Sequence, residues 1–174
     1  SDNPESIRSI VDQGAEVGVE MIILSFGSGM NMESRDPAYQ AKYKAVSEYA
    51  AKKGIVIGAY SLLASRGAGT PGDNCRGGRV RYGVMPCLGS QWGQDYLAQL
   101  QSFMTKTGFA MLEHDGSYPG DTCAAHDHPG HRGLEDSQWQ QYQAIAEFYR
   151  WCRANGCARW RRSSATTRAG STTS

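Results

Sequence analysis

Phe109-Ala-Met-Leu-Glu-His-Asp115-Gly-Ser-Tyr-Pro-Gly120 changes character half-way along. Its first half is a short apolar run and its second half is turn chemistry. An apolar run of this length beside a glycine predicts a buried strand. Glu113, His114 and Asp115 fall where that strand ends. In barrels and open sheets of parallel strands, chemistry collects at the C-terminal strand ends. Asp115 is therefore the first candidate for a working carboxylate. Glu113 alternates with it around His114, so the two carboxylates share one face of the strand.

The flanking sequence repeats the same unit. Ahead of it, Ser90 is placed to cap a helix whose apolar side is Trp92, Tyr96, Leu97, Leu100, Phe103 and Met104, and Gly108 stops that helix. Behind it, a helix runs from near Glu135 to Asn155, with Tyr142, Ile145, Ala146, Tyr149 and Cys152 at core spacing. Further upstream, Ile55 to Tyr60 and Met21 to Phe26 are continuous apolar runs, which predicts strands buried on both faces. Asp36-Pro37 starts a helix with an inner stripe of Ala41, Ala45, Val46, Tyr49 and Ala50. Asn3-Pro4-Glu5 starts another, with Ile7, Ile10, Val11 and Ala15 at helical spacing.

The resulting order, αβαβαβα, is that of right-handed βαβ units on a parallel sheet, an α/β fold. Two architectures fit: an open doubly wound sheet, or part of a TIM (β/α)₈ barrel. Length favours the first, because a complete barrel takes about 250 residues. Loop distribution favours the second, because the long loops follow strands while the helix-to-strand connections are short. We expect a partial barrel over residues 1–156. Residues 157–174 contain no Ile, Leu, Val, Phe or Met, and cannot form the next buried strand. They read as a disordered tail, or as an aberrant end from a frame error or truncation.

Composition excludes several classes. A net charge of +1 gives no electrostatic argument for a nucleic-acid or membrane partner. No apolar run approaches the roughly 18 residues that a membrane span needs. Gly67-Ala-Gly69 lacks the third glycine of a dinucleotide loop, so no nucleotide cofactor is expected. The sequence opens on a helix start, so any leader is expected to have been removed or to lie outside the stretch given. Cys75, Cys87 and Cys123 sit in predicted loops, which points to a secreted or periplasmic setting, with free thiols in a reducing one as the alternative.

Lys53-Gly-Ile-Val-Ile-Gly-Ala-Tyr-Ser61 is similar to the third-strand segment of the α-galactosidases of glycoside hydrolase clan D. Cys75, Cys87, Gly89-Ser90 and the helix after them follow in that family's order, and Leu112-Glu-His-Asp-Gly-Ser117 overlies its "L-K-[YF]-D-[NG]-C" motif. The resemblance covers roughly residues 1–156. It implies a glycosidase fragment acting on an oligosaccharide or glycoside with retention, with Asp115 as nucleophile. It implies that the acid/base lies on a later strand, so that this chain alone is inactive. The second Cys of the family's loop pairing would be Cys123, displaced by one loop. Two positions depart: Glu113 stands where the family has a sugar-binding Lys, and Ser117 where it has Cys.

Further candidates each carry two readings. Asp115 is a nucleophile or a turn cap. Glu113 binds sugar hydroxyls or pairs with a neighbouring Arg. His114, Tyr60, His126 and His128 are candidate substrate contacts, and Trp92 and Trp139 either stack on a pyranose or plug loops. Arg66, Arg76, Arg79 and Arg81 make one loop basic, suiting an acidic sugar or simply water. Cys123, His126, His128 and His131, with Asp121 and Asp127 between them, have the residue types of a zinc site but match no standard finger spacing. Two alternatives to the glycosidase follow: a metal-dependent hydrolase using that loop, and a non-catalytic sugar-binding barrel.

Overall fold

The structure, a computed structural model, describes residues 3–79, 81, 83–116 and 120–155. Helix and strand alternate: α1 (Pro4–Glu16), β1 (Met21–Leu24), α2 (Pro37–Lys52), β2 (Val56–Leu62), α3 (Gln91–Thr107), β3 (Met111–Asp115) and α4 (Leu134–Ala154). The caps are those the sequence predicts. Asn3 accepts from the Glu5 amide, Asp36 from Ala38 and Ser90 from Gly93, each satisfying a donor that the first helical turn leaves free.

The strands form one parallel sheet in the order β1-β2-β3. Met21 pairs with Val56, and Leu62 pairs with Asp115. Among the described residues the sheet does not close. Parallel strands with intervening helices and an open edge make this an incomplete (β/α)₈-type barrel. Residue 156 onward, and with it the expected tail at 157–174, lies outside the described residues.

One face of the sheet carries the core. Ile57, Ala59 and Ser61 of β2 are buried there. Against them pack Tyr43, Val46 and Ala50 of α2, and Leu100, Phe103 and Met104 of α3. Phe103 and Tyr43 both meet the Phe109 ring edge-on, at centroid distances of 5.7 and 6.0 Å. Ile145, Phe148 and Cys152 of α4 complete this layer.

The other face is where the sequence reading needs correction. β1 and β2 are not buried on both sides. Met21 is exposed, Ile23, Val56, Tyr60 and Leu62 are half-buried, and Glu113 and Asp115 are exposed. A continuous apolar run suits a face that a closed barrel would fill, and three strands cannot enclose that space. Three helix stripes also differ. On α1, Ile10 is exposed while Ile7 and Val11 are buried. On α2, Ala41 and Ala45 face water, while Gln40, Tyr43 and Ser47 point inward with Val46 and Ala50. On α4, Tyr142 is exposed and its neighbour Gln141 is fully buried. No described helix is long and apolar enough to cross a membrane.

Phe103 is completely buried in the aromatic contact that joins α3 to the sheet. Phe103→Ala should lower the unfolding free energy by about 3–5 kcal/mol. Urea denaturation checks this, and a loss below about 1 kcal/mol would show the layer can refill itself.

Candidate functional site

Two groups of chemistry-bearing residues stand at the C-terminal end of the sheet. The first is the pair of carboxylates on the open face. The β2–β3 register sets Tyr60 beside Glu113 and Leu62 beside Asp115. The Tyr60 hydroxyl donates to Asp115 Oδ2 at 2.8 Å. Ser25, one residue beyond β1, donates its hydroxyl to Glu113 Oε2 at 2.5 Å. Burial, and then the hydrogen bond to Asp115, push the Tyr60 phenol up to about 12, so it keeps its proton and stays a donor. The Phe26 ring meets Tyr60 edge-on at 5.6 Å. Each carboxylate thus keeps an exposed edge, with Asp115 held from the adjacent strand β2 and Glu113 from the residue that follows β1.

Gly116 lets β3 end there. Its φ is +69°, and a Cβ would lie 2.3 Å from Ala64 Cβ and 2.6 Å from the Ala64 nitrogen. Only glycine combines that backbone conformation with so close an approach. The chain past β2 is tied in as well, because the Leu63 amide donates to the Asp115 carbonyl at 2.9 Å.

His114 points the other way. It lies beneath α3 and α4, with Nε2 2.9 Å from the Tyr96 hydroxyl and Nδ1 3.0 Å from that of Tyr149. Burial pulls its pKa down to about 4, so the ring is neutral at pH 7. Its place is in the packing between sheet and helices, away from Asp115. Trp92 also packs inward. It stacks on Tyr96 at 5.0 Å with the Arg66 guanidinium 5.4 Å from its ring, which is the loop-plugging arrangement. Trp139 is exposed and stacks on Tyr142 at 5.9 Å. The basic loop is partly neutralised, since Arg66 pairs with Glu33 and Arg76 with Asp127.

The second group lies between the two long loops that follow β2 and β3. Cys87 comes from the first loop, and Cys123, His128 and His131 come from the second. All four are buried, and one donor atom from each lies within 4.8 Å of the others. His126, which the sequence grouped with them, lies outside the cluster. It is exposed and its ring nitrogen sits 2.6 Å from the Arg132 carbonyl. Cys87 takes its place. Sequence spacing missed Cys87 because it stands in the other loop; the visible signal was three loop cysteines in a chain with a His-rich segment. The three loop cysteines, Cys75, Cys87 and Cys123, are free thiols, so Cys123 forms no disulfide with either of the other two. Hydrogen bonding among the three loop thiols pulls Cys123 below the ordinary thiol range and pushes Cys75 and Cys87 above it.

No protein-family model matches the sequence, and no curated protein matches it. Solved structures do. Three forms of the α-N-acetylgalactosaminidase NagBb from Bifidobacterium bifidum superpose on it: a quadruple mutant with a TM-score of 0.60, a GalNAc complex with 0.60, and a Gal-NHAc-DNJ complex with 0.59. Each is 17% identical, and each comparison covers 88% of this chain. The chain spans 28–29% of the NagBb chains. At this identity the likeness is one of fold.

The neutral His114 links stability to pH. Its folded pKa lies below the ordinary 6.5, so the unfolded chain binds the proton more readily, and stability falls as pH drops from about 6.5 to about 4. Allowing for partial exposure, the loss is on the order of 2 kcal/mol. Denaturation at pH 7 and pH 4.5 should show this drop in the wild type and a smaller one in His114→Gln. Equal drops would mean the ring titrates normally.

Proposed function

We propose that the open face of the sheet is part of a sugar site in a glycoside hydrolase, with Asp115 as its nucleophile. The observation that carries this is the placement of two exposed carboxylates at the C-terminal ends of parallel strands, Asp115 held by the Tyr60 hydroxyl of β2 and Glu113 by the Ser25 hydroxyl just past β1. A retaining glycosidase needs one carboxylate to attack the anomeric carbon and a second carboxyl group, about 5–5.5 Å from it, to pass protons. The likeness in fold to an α-N-acetylgalactosaminidase supports the class of reaction, and the α-galactosidase resemblance of the third-strand segment supports an α-linked sugar. In this reading Glu113 and Tyr60 contact sugar hydroxyls, and the proton-transferring carboxyl group belongs to a later strand. Exposed Trp139 and His126 are available to a longer glycan. Secretion or a periplasmic location goes with such a substrate.

A second reading is metal-dependent hydrolysis at the Cys/His cluster. The convergence of four metal-binding side chains favours it. Catalysis on a metal needs a coordination position open to water, whereas these four donors are all buried. The cluster therefore supports metal binding more directly than turnover.

The isolated chain should bind galactose or N-acetylgalactosamine weakly and hydrolyse neither of their aryl α-glycosides. Saturation-transfer NMR should show binding that Asp115→Ala weakens about tenfold, the scale expected for loss of a charged hydrogen-bonding group. Unchanged binding in that variant would remove Asp115 from the sugar site. Turnover by the isolated wild-type chain would contradict the assignment of proton transfer to a later strand.

A further inference from the structure

We propose that Cys87, Cys123, His128 and His131 bind one Zn²⁺ in a closed tetrahedral site that staples the two long loops together. This deepens the metal reading above without requiring turnover, and it stands independently of the sugar site.

Three distances carry the geometry. Cys87 Sγ lies 3.2 Å from His131 Nε2, His128 Nδ1 lies 3.2 Å from His131 Nε2, and Cys123 Sγ lies 3.6 Å from His128 Nδ1. Zinc sits about 2.3 Å from sulfur and about 2.0–2.1 Å from nitrogen, so the edges of a tetrahedral S₂N₂ site measure roughly 3.3–3.8 Å. The three measured edges are close to that range. Two thiolates and two imidazoles are a donor set for zinc rather than for calcium or magnesium, which take oxygen.

The surroundings prepare the donors. His128 Nε2 lies 2.7 Å from the Gly72 carbonyl, which places the proton there and leaves the Nδ1 lone pair directed at the cluster. Metal-binding histidines characteristically donate their second nitrogen in this way. His131 faces the cluster through Nε2, which lies near both Cys87 Sγ and His128 Nδ1, and with zinc there its proton sits on Nδ1, which is buried without a hydrogen-bond partner among the described residues. Gly89 makes room for the ring, since a Cβ there would lie 2.4 Å from His131 Cδ2. Cys87 and Cys123 are fully buried. Four buried protein donors complete a tetrahedron without water, the arrangement of a structural rather than a catalytic zinc. Both cysteines bind as thiolates, and their two protons leave to solvent.

The site joins loops that other contacts already align. The Ala124 amide donates to Arg76 O at 2.7 Å, and the Gly130 amide to Gly89 O at 2.8 Å. Cys75 lies beside the cluster, with its thiol donating to the Asp121 carbonyl at 3.4 Å. It is the neighbour that the donor set does not need.

The purified full chain should contain about one zinc per molecule by mass spectrometry of the metal. Cobalt exchanged into the site should show thiolate charge-transfer bands and the strong visible bands of a tetrahedral ion. Cys123→Ser and His131→Ala should lower the zinc content to below about a tenth of this, while Cys75→Ser, His126→Ala and Asp115→Asn keep it. Should the cluster variants fail to fold, the wild type answers alone. Chelation should lower its thermal midpoint by about 10 °C and raise hydrogen exchange in the loops after β2 and β3, and added zinc should reverse both. A disulfide between any two of Cys75, Cys87 and Cys123, full zinc content in Cys123→Ser, or a chelated protein as stable as the untreated one would each overturn the proposal.

Discussion

Parallel hydrogen bonding between β2 and β3 is the constraint on which the rest of the molecule depends. The pairing of Gly58 with Met111 through Leu62 with Asp115 fixes which side chains meet across the two strands. It sets Tyr60 against the carboxylate face and Ser61 against the helices. It also makes the two strands end together, so the loops that leave them start side by side. A shift of one residue would send Glu113 and Asp115 under α3 and α4 and expose His114. Both groups of chemistry-bearing residues follow from this one register.

The two faces of the sheet have opposite solvation, which sorts the polar residues of β3. On the helix side, His114 is half-buried and neutral, held between two tyrosine hydroxyls. Tyr96 also meets Ser61 at 2.6 Å, so buried polar groups of β2, β3, α3 and α4 satisfy one another. On the open side, Glu113 and Asp115 stay hydrated and accept from single hydroxyls. Charge stays where water remains, because burying an unpaired carboxylate costs far more than burying a neutral imidazole with two partners. Residues adjacent in sequence therefore have different roles.

The long loops have few large apolar residues to pack, so polar contacts and close backbone approaches hold them. Gln141 shows how. Fully buried on α4, it accepts from the Leu88 amide and donates to the Asp121 carbonyl, joining both loops to one helix. The Cys/His cluster sits within the same seam. Its four side chains converge from two separate loops, and Ser137 of α4 accepts from the Cys123 amide at 3.0 Å.

The alternation of helix and strand, the caps at Asn3, Asp36 and Ser90, and the shared face of Glu113 and Asp115 were legible in the sequence, because each depends on neighbours a few residues away. The periodicity of α3 named the large buried residues Tyr96, Leu97, Leu100, Phe103 and Met104, with Trp92 only half-buried, since large apolar side chains at helical spacing leave one face to bury. Other features needed the folded chain. Whether β1 was covered on both faces depended on how many strands stand around it, which its own residues do not encode. His114 was read as a substrate contact, but alternation alone does not say which face a helix layer will occupy. Cys87 joined His128 and His131 in place of His126 because two loops far apart in sequence leave adjacent strand ends. Periodicity and capping are local and survive in the linear order of residues; burial and convergence are properties of the space between elements, which tertiary packing alone creates.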